Sequence, residues 1–112
     1  MGFLQEEHGS IIVEIVDLKK ATLIHAEAFK LLLFDDIKSG WKNIIIDLSE
    51  CEFIDSTFLG AIVMGLKKVT QIGGNLCLAG VQPEVKNMFQ LTRMNKIFNI
   101  FDAREDALAS FT

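Results

Sequence analysis

Residues 55–57 read Asp-Ser-Thr, a carboxylate beside two hydroxyls, between a strand-like apolar run and a helix-like one. A serine nucleophile needs a base to take its proton and a group to orient that base. Only His8 and His25 are available: His25 falls near the buried face of a predicted helix, and His8 in a predicted hairpin turn. The G-x-S-x-G elbow is missing, because Ile54 and Phe58 stand where the glycines would be. Glu50, Glu52 and Asp55 form an acidic cluster, but their spacing matches no calcium loop and no histidine joins them. The pair Gly73-Gly74 ends a helical pattern instead of opening one, so it cradles no phosphate. The expectation is no catalytic residue, no metal site, no cofactor and no enzyme activity. Two readings of the seam stay open. Asp55 or Ser56 caps a helix, an interaction worth ~1 kcal/mol, or a hydroxyl is displayed there for a partner.

The elements that must position these residues follow from periodicity. The run SIIVEIVDL alternates and is rich in β-branched residues, so it predicts a strand, paired with FLQEE across His8-Gly9. Thr22 predicts an N-cap for a helix running to Ser39 and ended by Gly40. KNIIIDLS and NLCLAG are short continuous apolar runs, the mark of buried parallel strands. Between them a helical pattern spans 57–72. Pro83 opens a further helix, KIFNIF alternates like a last strand, and AREDALASF is a terminal helix. Strands alternating with helices over short connections predict an α/β domain with a largely parallel sheet.

The helix after the seam carries more apolar surface than a core stripe requires. At 100° per residue, Phe58, Ile62, Leu66, Val69 and Ile72 share the side expected to be buried, while Lys67, Thr70 and Gln71 mark the solvated side. In its first two turns that outward side bears Gly60, Val63 and Met64, with Ser56 just before them, a small apolar docking patch with a hydroxyl at its rim. In the first helix Phe29, Leu32 and Leu33, with Ala28 beside them, make the expected core face. Leu31 and Phe34 fall on the water side, either folded back under a loop or forming a second contact surface, such as that of a weak homodimer.

Composition narrows the class. The 112 residues make one domain large enough for its own core. The net charge of −4, without a basic stripe, argues against nucleic acid. No run reaches the ~20 apolar residues of a membrane span, no signal peptide pattern is present, and Cys51 and Cys77 lack CxxC spacing. A cytoplasmic protein without membrane insertion is expected.

The stretch NIIIDLSECEFIDSTFLGAIV resembles the core of STAS domains, the fold of bacterial anti-sigma factor antagonists, and the likeness continues through GGNLCLAGVQPEVKNMFQLTRMNKIFNIFDAREDAL. The resemblance implies a single, free-standing STAS-like domain over residues 1–112, with a mostly parallel mixed sheet of four to five strands and about four helices. It implies that Ser56 is a phosphoacceptor, with Thr57 the lesser candidate and Asp55 its neighbour in the binding surface. Gly60, Val63 and Met64 belong to the docking face on the same analogy. The implied partner is an anti-sigma factor of the serine-kinase type, bound while Ser56 is unphosphorylated so that a sigma factor is freed; a phosphatase is a further partner of this scheme. The alternatives are a constitutive STAS adaptor in a signalling or lipid-transport complex, and a small-molecule-sensing STAS domain. Phe58 stands where the family usually has glycine, and VDLKKATL brings Lys19 and Lys20 to a segment that commonly carries a glycine and an acidic residue.

Overall fold

The chain opens with β1 (Gly2–His8) and β2 (Ile11–Asp17), an antiparallel hairpin in which His8 lies opposite Ile11, so Gly9 and Ser10 alone make the turn. Gly9 takes φ 62°, a left-handed value that such two-residue turns demand. The computed structural model describes residues 2–112; Met1, included in the expected domain, lies outside them. A two-residue strand, β3 (Lys20–Ala21), leads through Thr22 into α1 (Leu23–Lys38). After β4 (Asn43–Asp47), a second two-residue strand, β5 (Phe53–Ile54), leads through Asp55 into α2 (Ser56–Gln71). Then come β6 (Asn75–Ala79), α3 (Pro83–Leu91), one 3-10 turn at Met94–Lys96, β7 (Ile100–Phe101) and α4 (Arg104–Ser110).

Five strands form one mixed sheet in the order β1-β2-β4-β6-β7, parallel throughout except for β1. This is the expected α/β class, with four helices. Side chains alternate between two cores, as a pleated strand requires. Ile12, Val16, Ile44, Ile46, Leu76 and Leu78 face the larger core, where Phe29 and Leu33 of α1 meet Phe58 and Ile62 of α2. Ile11, Val13, Ile15, Ile45, Cys77 and Ala79 face the opposite side, covered by Ala107, Leu108 and Phe111 at the C-terminal end. The helices α1 and α2 approach closely at Gly65, where an added Cβ would stand 2.6 Å from Leu33 Cδ1.

Several expectations need correction. KIFNIF is not one strand: Arg93 turns left-handed (φ 62°), a 3-10 turn follows, and only Ile100–Phe101 pair with β6. Its alternation reflects Phe98 entering the core edge-on to Phe89, with ring centroids 5.8 Å apart. Ile72 is exposed and not part of the core stripe, because it is the C-cap and the chain turns away at Gly73. Leu66 and Leu32 only edge the core, Ala28 is exposed, and Ala26, Leu59 and Ala61 are buried in their place. Of the two surplus residues of α1, Leu31 is exposed, while Phe34 is half-buried with Lys68 Nζ 5.1 Å from its ring centroid. The segments 20–21 and 53–54, which the sequence assigns to no element, are two-residue strands.

Candidate functional site: a groove between two helix starts

The two short strands explain why the seam exists. β3 and β5 pair in parallel, Lys20 with Phe53 and Ala21 with Ile54, apart from the main sheet. Each buries one apolar residue (Ala21, Ile54) and passes at once to a helix N-cap (Thr22, Asp55), so the pairing brings the first turns of α1 and α2 side by side. Cys51 braces β5 by donating its thiol to the Phe53 carbonyl at 3.2 Å; burial raises its pKa, which keeps it a thiol.

Asp55 joins the two helices directly. Its Oδ1 accepts from the Phe58 N–H at 2.8 Å, the N-cap bond of α2, and its Oδ2 accepts from the Leu23 N–H at 2.8 Å, the first residue of α1. One carboxylate thus satisfies donors at two helix ends, which otherwise lack intrahelical partners. Both of its oxygens are engaged with backbone behind the seam. Thr22 caps α1 from its own side, and His25 Nδ1 accepts from the Thr22 N–H at 3.2 Å, closing a capping box with an imidazole in the usual Glu position. His8, placed at the end of β1 and not in the turn itself, has Nε2 3.1 Å from Glu6 Oε1.

Ser56 is the first residue of α2 and is exposed, as are Thr57, Gly60 and Met64, while Val63 is half-buried. These five line one open groove of about 690 Å³. Its floor is apolar (Ala26, Leu59, Ala61) and its far wall is α1, through Leu23, Glu27 and Lys30. Thr92 and Met94 close one end. Asp55 is not among the lining residues. The α1 wall was missed by sequence reasoning, which took Leu31 and Phe34 as the surplus of that helix. A signal for it was present: an apolar residue followed by a capping residue recurs as Ala21-Thr22 and Ile54-Asp55, marking two helix starts of one kind. Phe58, in the position where the resemblance leads one to expect glycine, is 0 % exposed and stacks on Phe29 with centroids 5.0 Å apart, so it is turned away from the groove. Among the described residues no group of three or more His, Cys, Asp or Glu is placed to hold a metal ion, and no helix is long and apolar enough to cross a membrane.

The groove has an exposed hydroxyl at the start of a helix and an apolar floor, an arrangement suited to docking and modification. Comparisons with known proteins agree with the fold. Over 98 residues the chain is 33% identical to a Thermotoga neapolitana protein named "Putative anti-sigma factor antagonist", the match covering 87% of each chain. A crystal structure carrying the same designation, from Thermotoga maritima, superposes with a TM-score of 0.87 at 29% identity, over 96% of this chain and 92% of that one. The fold alone is shared with SpoIIAA, a Bacillus cell fate determinant solved in its phosphorylated form, at 17% identity and a TM-score of 0.77, over 98% of this chain and 99% of that one. The model of the STAS domain matches residues 7–107, groove and both helix starts included, and the chain belongs to the STAS domain family.

Proposed function

We propose that the chain is an anti-sigma factor antagonist, a cytoplasmic, non-enzymatic docking module whose affinity for its partner is set by phosphorylation of Ser56. The partner is an anti-sigma factor of the serine-kinase type, and a phosphatase reverses the modification. The observation that carries this reading is the exposed Ser56 hydroxyl on the first turn of α2, at the rim of an apolar groove and beside an Asp55 whose oxygens are already bound. The names of the relatives support the role, and SpoIIAA, which shares the fold, exists in a phosphorylated form.

The chemistry needs nothing from this chain beyond presentation. The kinase removes the Ser56 proton, Oγ attacks the γ-phosphorus of ATP, the bond to the bridging oxygen breaks, and ADP leaves. The phosphate adds roughly −1.5 to −2 charges. α2 has no acidic residue in its first turn, so the free N–H groups there accommodate the phosphate within the fold. At the interface the same dianion stands where a hydroxyl met an apolar partner surface, and a loss of ~1.4 kcal/mol already costs a factor of ten in affinity.

The test is calorimetric titration of the partner kinase with four proteins, together with mass spectrometry after incubation with ATP. Ser56→Ala binds like the wild type and takes no phosphate, whereas Ser56→Asp binds at least about tenfold more weakly with unchanged circular dichroism. Gly60→Leu, at a position where an added Cβ meets nothing within 4 Å, folds normally and loses binding by filling the groove. Phosphate appearing on Thr57 in Ser56→Ala, or full-strength binding by Ser56→Asp, overturns the assignment of Ser56. A second reading, ligand sensing, is favoured by the groove itself, whose volume lies in the range of small-molecule sites; a thermal shift with a small apolar ligand tests it.

A further inference from the structure

Glu14 sits in the middle of β2 at 0 % exposure, on the face of the larger core, between Ile12 and Val16 and opposite Ile46 of β4. Above it, on α1, Asp36 is 5 % exposed between the core residues Leu33 and Ile37. The two side chains are within hydrogen-bonding reach of each other. Gln5 of β1 donates its amide to Glu14 Oε2 at 2.8 Å. Glu14 Oε1 and Asp36 Oδ2 are fully buried and have no hydrogen-bond donor among the described residues. The groups acting on this pair are Gln5 from β1 and Asp35 from α1, and no cation from β1, β4 or α1 is among them.

Two ionised carboxylates in this position offer only acceptors to one another, in a site where each unpaired polar atom and each bare charge is costly. One proton removes the conflict, turning one oxygen into a donor and satisfying both orphans. We propose that Glu14 and Asp36 share a single proton, the carboxylic acid on β2 donating to the carboxylate on α1, and that this hydrogen bond makes the seating of α1 on the sheet depend on pH. The inference is independent of the partner reading above, since its readouts are taken on the free protein. Because α1 is also the far wall of the groove, the proton acts on the same element that frames the docking site.

The electrostatics agree with the geometry. Burial pushes Glu14 up to about 10, and the hydrogen bond to Asp36 and its charge add to the rise. Asp36 is also raised, by burial first and by the charge of Asp35, while the hydrogen bond with Glu14 opposes the shift. Glu14 is therefore the proton's holder. Its folded-state pKa lies above its ordinary value of 4.5, so the stability it contributes is fully present below that value. It is lost as pH rises toward about 10.

The experiment is carbon-13 NMR of glutamate-labelled protein with denaturant unfolding at mildly acidic and mildly alkaline pH. One side-chain carboxyl resonance remains in its protonated position at neutral pH and disappears in Glu14→Gln. In the wild type the unfolding equilibrium constant rises by up to about tenfold per pH unit, the limit for one proton. In Glu14→Gln the dependence flattens, because the amide still accepts from Gln5 and donates to Asp36 without titrating. Asp36→Asn, which also keeps a donor between the two, serves if Glu14→Gln folds poorly, and the wild-type spectrum stands without either variant. A Glu14 carboxyl that titrates with the exposed glutamates overturns the proposal, as does an unchanged pH slope in Glu14→Gln. An ionised pair stabilised by sodium or potassium more than by choline, at equal ionic strength, also overturns it, since a metal cation would then be the bridge.

Discussion

Asp55 holds the first turns of two helices with one carboxylate, so its removal unties both ends together. An N-cap bond is worth ~1 kcal/mol, and the second bond, to a charged acceptor, is worth about as much or more. Asp55→Ala is expected to cost about 2–3 kcal/mol in urea unfolding, and Asp55→Asn, with one acceptor oxygen in place of two, falls between. Loss of partner binding in Asp55→Asn would then arise from a displaced α1 wall and not from a lost contact, which amide protection at Leu23 and Phe58 would reveal. The local sequence Ile-Asp-Ser narrowed the α2 cap to Asp55 or Ser56, both common start signals before a helical run, and the structure places the cap at Asp55. The bond to Leu23 was not legible, since it joins residues 32 apart in the chain through a pairing of two-residue strands.

Among the elements, α4 has seven residues and packs against β4, β6 and β7 on one face of the sheet, and Arg104 ties it to β4 and β1. Arg104 donates through Nε at 2.9 Å to Asp47 Oδ2 at the end of β4, with Nη2 also 2.9 Å from that oxygen, and through Nη1 to Glu6 of β1. Asp47 is 3 % exposed, and its Oδ1 accepts from the Ser49 N–H. Arg104→Ala strands a buried carboxylate and is expected to cost about 3 kcal/mol, while Arg104→Lys recovers part of it without the fork geometry. Beneath α4 lies Cys77, whose thiol burial pushes up to about 12. Faster alkylation of Cys77 than of Cys51 in Arg104→Ala, read by peptide mass spectrometry, would show that α4 lifts first. AREDALASF was legible as a helix, but nothing in those residues names Asp47 as the partner.

For the molecule as a whole, two carboxylate environments pull stability in opposite directions with pH. Glu6 is lowered by its hydrogen bonds to His8 and Arg104, so its contribution is present above its ordinary pKa and is lost as pH falls through the lowered value. Glu14 and Asp36 are raised, so theirs is lost as pH rises. The buried pair outweighs the exposed Glu6, because solvent screens the latter. Thermal unfolding at constant ionic strength should therefore show a maximum on the acid side of neutrality and a decline toward alkaline pH. The alkaline decline should flatten in Glu14→Gln, while the acid limb remains.

What the sequence determined by itself was the local grammar: strand runs, a helix start at Thr22 and another at Asp55 or Ser56, the α/β order, and a patch of Gly60, Val63 and Met64 just after Ser56. Each rests on interactions within about one turn or one strand of chain, which is the range over which periodicity and capping act. Tertiary structure alone decided that Leu23, Lys30 and Met94 would join that patch in a groove, and that KIFNIF would bend into the core. It also decided that Glu14 and Asp36 would meet in a dry interior. Those outcomes depend on the pairing of β3 with β5 and the packing of α1 across β2, and a carboxylate in the sequence does not say which other carboxylate it will face.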